Sequence, residues 1–145
     1  MAGPIRRGGG AGNPRQAASE AGARAARQTL EQQRSAYAWQ QVNEAPCTSD
    51  FVNLVKGLPA MMMGNGLLQT LAFLVDKDKD HHRAAAGLVF GWLAERGFVE
   101  PSPPFEQLRK LTQLSSGRYM QATEEALAIL RWARQFAAAR KSAKS

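Results

Sequence analysis

A chain of 145 residues, 44% hydrophobic and 21% charged, amounts to about one domain, long enough to bury roughly 68–70% of its unfolded surface. Its single cysteine, Cys47, excludes an intrachain disulfide, and without Cys/His ligand spacing there is no support for a structural zinc site, so a cytoplasmic setting is expected. The formal charge of +7 is unevenly placed: twelve Lys/Arg balance twelve Asp/Glu between Ser19 and Ala133, and the excess lies towards the ends, in Arg6, Arg7, Arg15, Arg134, Arg140, Lys141 and Lys144.

Basic ends on a neutral body favour attraction to a polyanion through counterion release, and equally serve to keep a small protein soluble. Residues 1–18 are rich in Gly, Pro, Ala and Arg with no apolar period, and are expected to be disordered. Arg6 and Arg7 are followed by no apolar run, so a secretory signal is not expected. From Ser19 to about Glu44 the composition is that of a helix, stopped by Pro46. At 100° per residue Glu20, Arg24, Arg27, Glu31 and Arg34 share one arc of roughly 80°, with Leu30, Tyr37 and Trp39 outside it or at its edge. That arc is the predicted wet face, either a solvated stripe of i, i+4 pairs or an arginine row for phosphates.

Thr48 or Ser49 is placed to cap a helix from Asp50 to about Lys56, with Phe51, Leu54 and Val55 at core spacing and Gly57 loosening its end. Leu58 to Val75 then carries no formal charge, which makes it the expected core, but Pro59, Gly64, Asn65, Gly66, Gln69 and Thr70 interrupt it too often for a membrane span. A two-part buried element is predicted, with Pro59 opening the first turn, Gly64 ending it and Asn65 capping a second helix. Leu67, Leu68, Leu71, Phe73, Leu74 and Val75 cover most of that helix, so it should sit at the centre of a bundle.

The Asp76, Asp78, Asp80 alternation resembles a calcium loop, but His81 and Gly87 stand where Gly and Glu are required. His81 and His82 would point about 100° apart on a helix, so a solvated loop is expected, with Asp80 capping the next helix. Ala84 to Gly97 reads as a second inner helix ended by Gly97. Pro101, Pro103 and Pro104 make a stiff connection, after which Phe105, Leu108, Leu111 and Leu114 form an apolar stripe with Arg109 and Lys110 off it. Ser115 to Gly117 mark a turn. Tyr119 to about Ala139 is a long helix with Tyr119, Ala122, Ala126, Ile129, Leu130, Ala133, Phe136 and Ala137 on one face and Glu124, Arg131 and Gln135 on the other. No segment alternates as a strand, so the expected class is all-α: a compact bundle of about five to six helices over residues 19–141, with 142–145 as a disordered C-terminal tail.

Chemistry is sparse. There is no nucleophile elbow, no phosphate-binding glycine loop and no metal-ligand cluster of recognised spacing, so no catalytic residues, metal or cofactor are expected. Trp39, Trp92 and Trp132 could stack on bases, but their helical, apolar flanks favour core or interface anchors.

Three stretches carry a family resemblance: the K-x-L-P of Lys56 to Pro59, the run MMGNGLLQTLAFL from Met62 to Leu74, and YMQATEEALAILRWARQFAAA from Tyr119 to Ala139, with its T-x-E-A and R-W-A-R-x-F-A core. Together with the Ala/Arg-rich opening helix they resemble the small subunit of Cmr-type (type III-B) CRISPR RNA-guided effector complexes, over about residues 20–140. The Gly/Arg tail before Ser19 is outside the family's pattern.

The resemblance implies a non-catalytic antiviral-defence protein present in several copies. These would stack head to tail as an inner filament beside the backbone and large subunits, touching guide RNA and target RNA through the backbone alone. RNA-facing residues are then expected among Arg24, Arg27 and Arg34 on the first helix, Lys56 before the core motif, and Arg109, Lys110 and Arg118 around the last turn. The family match places Lys56, while the others are chosen for lying off the apolar stripes. Competing readings are the small subunit of the related Csm-type (type III-A) complex, a free-standing basic helical protein packaging nucleic acid with its tails, and an acid-dependent RNA nuclease using Asp76, Asp78 and Asp80.

Overall fold

The first described helix opens with a reciprocal cap. The Thr29 hydroxyl accepts the Gln32 N–H at 3.1 Å, and the Gln32 side-chain oxygen accepts the Thr29 N–H at 2.9 Å. Helix α1 therefore begins at Leu30 and ends at Glu44; the expected helical run does not continue through residues 28–29. The computed structural model describes residues 28–46 and 48–144, so Cys47 and the expectations for residues 1–27 lie outside the described residues. The chain divides into two compact units, residues 1–33 and 34–145. The first is described only over residues 28–33, and the remaining described residues belong to the second.

Beyond α1 come α2 (Ser49–Asn65), α3 (Leu67–Lys77), α4 (Asp80–Glu95), α5 (Pro104–Thr112) and α6 (Ser116–Lys144). Among the described residues there are six helices and no strand, so the class is all-α. Thr48 caps α2, its hydroxyl accepting the Phe51 N–H at 3.1 Å. The helix then runs through Gly57 and Pro59, where the residues alone predicted an end and a new start. Phe51, Val52, Val55, Leu58, Pro59 and Met62 form one continuous buried stripe, and packing that stripe outweighs the roughly 3 kcal/mol that proline costs in a helix interior.

The chain breaks at Gly66, not at Gly64, and Asn65 is the last helical residue instead of a cap. Gly66 sits at φ 89° and ψ 168°, a conformation closed to side chains, and its N–H closes α2 on the Met62 carbonyl at 2.8 Å. Helix α3 thus starts without a side-chain cap. The Tyr119 hydroxyl of α6 compensates, accepting the Leu68 N–H at 3.1 Å. Leu67, Thr70, Leu71 and Leu74 are buried in α3, but Gln69 and Ala72 are exposed, so the helix is one-sided and is not the hub.

That place belongs to α4, which packs against α2, α3, α5 and α6. It buries Ala85, Ala86, Leu88, Val89, Phe90, Trp92 and Leu93. It begins at Asp80, with Lys79 in the cap position, and takes in His82, which is buried edge-on to Phe73 and not in a solvated loop. Burial first, then the charges of His81, Lys79 and Lys77, holds the His82 imidazole below its ordinary pKa. Gly97, at φ 79°, ends the helix as predicted, with the Phe98 N–H on the Leu93 carbonyl at 2.9 Å. Pro104 opens α5, where Leu111 and Gln107 are buried and Phe105 is 76% exposed, so the expected apolar stripe enters the core at only one end.

A candidate nucleic-acid interface

A cation can hold a phosphate only if it is exposed and not already committed, and by that criterion the seven expected residues separate. Arg24 and Arg27 lie outside the described residues. Arg34 is not on a wet face. Its Nε and Nη2 donate to the two oxygens of Glu125 at 3.1 and 2.5 Å, and Trp92 Nε1 donates to the same carboxylate at 2.9 Å. This fork joins α1, α4 and α6 in a site where the two charged side chains are 20% and 11% exposed. The sequence reading missed Glu125, whose partner is 91 residues away. Burial drives its carboxyl pKa up, but the hydrogen bonds from Arg34 and Trp92, with the charges of Arg34 and Arg96, outweigh this and hold it below the ordinary value.

Three more candidates gather at the α4–α5 connection and the α6 start. Arg118 donates to the Gly97 carbonyl at 3.0 Å and lies over the Phe98 ring at 4.3 Å. Lys110 is 3.6 Å from Glu100. Arg109, one turn after Glu106, is paired with its carboxylate. All three brace the structure on which they stand. Lys56 differs. It is exposed on α2 and makes no ion pair or hydrogen bond among the described residues.

Two further exposed cations without a partner among the described residues, Arg131 and Arg134, stand on the outer face of α6. The charge count grouped Arg134 with the basic C-terminal end, and it lies, as expected, within the last helix, which runs past the expected end at about Ala139 to Lys144. Arg140 is likewise structural, donating to the Val42 and Ala45 carbonyls at 2.5 and 2.8 Å and closing the end of α1.

Asp78 and Asp80, two of the three acids of the nuclease reading, are both paired with Arg83, at 3.3 and 2.5 Å. No group of three or more His, Cys, Asp or Glu among the described residues could hold a metal. No described helix is long and apolar enough to cross a membrane.

The sequence profile of a family described as CRISPR-associated protein (Cas_Cmr5) matches residues 30–140, well over half of the chain. The chain belongs to the Cmr5 family. It is thereby a small subunit of a Cmr-type, type III-B CRISPR complex. Its fold is similar to that of a solved CRISPR-associated Cmr5 family protein from Thermus thermophilus. The TM-score is 0.65 and the identity 24%, covering 77% of this chain and 96% of the other. The match takes in the K-x-L-P, N-G-L and R-W-A-R segments on which the resemblance was drawn. On the Cmr5 scaffold these have different tasks: Pro59 and Leu67 are core, Gly66 is the hinge between α2 and α3, and Lys56, Arg131 and Arg134 face outwards.

Proposed function

We propose that this protein is a non-catalytic cytoplasmic subunit that stacks head to tail, in several copies, as the inner filament of the Cmr-type complex. It steadies the paired guide and target RNA through their backbone phosphates and reads no bases, since pairing supplies the specificity. Lys56 carries this reading: an exposed, uncommitted ammonium beside the family's core motif. Arg24 and Arg27 belong to the same proposal. Arg109, Lys110 and Arg118 join it only by exchanging intrachain partners for phosphate, and Arg34 is withdrawn because its guanidinium is committed to Glu125.

The test is affinity capture of the tagged protein from its native cells, followed by native mass spectrometry. The large and backbone subunits, a short RNA and more than one copy of this chain should come together, and deleting residues 1–18 should leave the assembly intact. A lone monomer, or capture of bulk nucleic acid that disappears with residues 1–18, contradicts it and supports the tail-driven packager.

A further inference from the structure

The two helices that carry the uncommitted cations lie side by side, and their register can be read from their ends. Helices α2 and α6 pack against each other. Lys141, near the end of α6, donates to the Ser49 hydroxyl at the start of α2 at 2.5 Å. At the other end, Tyr119 of α6 meets Leu68, two residues past Gly66. The pair is therefore antiparallel, with its register pinned at Ser49 and Lys141. One heptad into α2 from Ser49 is Lys56, and one heptad back along α6 from Lys141 is Arg134. Seven residues are about two turns, so both return to the edge they started from, about 10 Å along the seam from the pin. Lys56 and Arg134 stand abreast, on axes roughly 8–10 Å apart.

Neither cation is neutralised by its own helix. The positions three and four residues from Lys56 are Val52, Asn53, Pro59 and Ala60, and those from Arg134 are Leu130, Arg131, Ala137 and Ala138. The nearest acid along α2, Asp50, lies about 120° round the helix, and the nearest exposed acid along α6, Glu124, is about two turns beyond Arg131. Arg131 and Arg134, one turn apart, repel each other at a cost to the helix that no contact among the described residues returns. By contrast, exposed Arg83 and Arg109 each have an acid three residues away on their own helix, Asp80 and Glu106, and exposed Arg118 is bonded to the Gly97 carbonyl.

We propose that the outer edge of the α2–α6 seam is a phosphate track in which Arg134 is an equal partner of Lys56, with Arg131 the next position along it. Its ligand is the sugar-phosphate backbone of RNA. The inference rests on the RNA-steadying function proposed above and adds to it a location and two residues.

The experiment uses the assembled complex, loaded with guide and a labelled complementary RNA, and measures target retention against salt concentration. Wild-type subunit is compared with K56Q, R134Q, R134K, the double variant K56Q/R134Q, R83Q as a control at an exposed arginine outside the proposed interface, and a complex lacking the subunit. K56Q and R134Q should each lower the slope of log affinity against log salt by about one unit, and the double variant by about two. R134K and R83Q should keep the wild-type slope, and co-assembly should not change. A wild-type slope for R134Q, in a complex whose retention does fall when the subunit is omitted, overturns the track and leaves the proposed function standing. Retention indifferent to omission of the subunit overturns both.

Discussion

Glu125 shows how much a single buried carboxylate can organise. Its two oxygens receive the Arg34 fork and the Trp92 indole, so its loss would strip a largely buried guanidinium and an indole N–H of the acceptor they share. Breaking one side of such a pair costs about 3–5 kcal/mol, so E125A should lower the denaturant-unfolding free energy at neutral pH by about 3 kcal/mol. The pH dependence has a definite sign. Because the folded pKa is depressed below the ordinary 4.5, this stabilisation is complete above that value and is lost as pH falls through the folded one. The acid limb of the stability curve should therefore flatten in E125A, and an unchanged limb would assign the network no linkage. None of this was legible beforehand. Glu124 and Glu125 are adjacent acids about 100° apart on the helix, and periodicity placed only Glu124, correctly, on the wet side. Arg34 was grouped with Arg27 and Glu31 by helical angle, and angle says nothing of a partner 91 residues away.

At the scale of the elements, apolar period proved a better guide than isolated helix breakers. The 51, 55, 58, 62 spacing runs unbroken through Gly57 and Pro59, and so does α2, whereas the conformation that demanded glycine between α2 and α3, at Gly66, could not be told from Gly64 by composition. Helix α4 holds a second such constraint. Tyr37 donates its hydroxyl to the Leu88 carbonyl at 2.9 Å, and a β-carbon at Gly91 would collide with that hydroxyl. Burial, then the charges of Glu95 and Glu44, pushes the phenol pKa well above its usual value, so the group remains a donor. Glycine to alanine inside a helix ordinarily gains about 1 kcal/mol. Here G91A should instead destabilise by about 1 kcal/mol, because Tyr37 must move and its hydrogen bond, itself worth about that much, is lost. On a Y37F background, where the obstructing oxygen is gone, the same substitution should stabilise by about 1 kcal/mol. A double-mutant cycle by thermal unfolding reads the reversal, and the same sign on both backgrounds would refute the close approach.

For the molecule as a whole, the location of charge explains why a fold so readable gave its interface so unevenly. The all-α class, the proline-opened α5 and the glycine-ended α4 follow from local chemistry that any window of sequence displays. The family was legible because three separated segments carry it. The cations were not separable, because commitment is a property of packing: Arg140 closes the end of α1 and Lys141 holds Ser49, although both were counted among the free charges of a terminus. Arg134, counted in the same way, and Arg131, counted within the neutral body, are left uncommitted on the surface with Lys56 among the described residues. The central claim is that this helical exterior grips RNA by its backbone while breaking no bond. Its most direct test is target-RNA retention by the reconstituted complex with and without this subunit, measured across a salt series with guides of unrelated sequence. The account predicts weaker retention and a shallower salt slope without it, to the same extent for every guide, with the intact subunit alone leaving RNA uncut. Equal slopes with and without the subunit, or a loss that follows guide sequence, would contradict it.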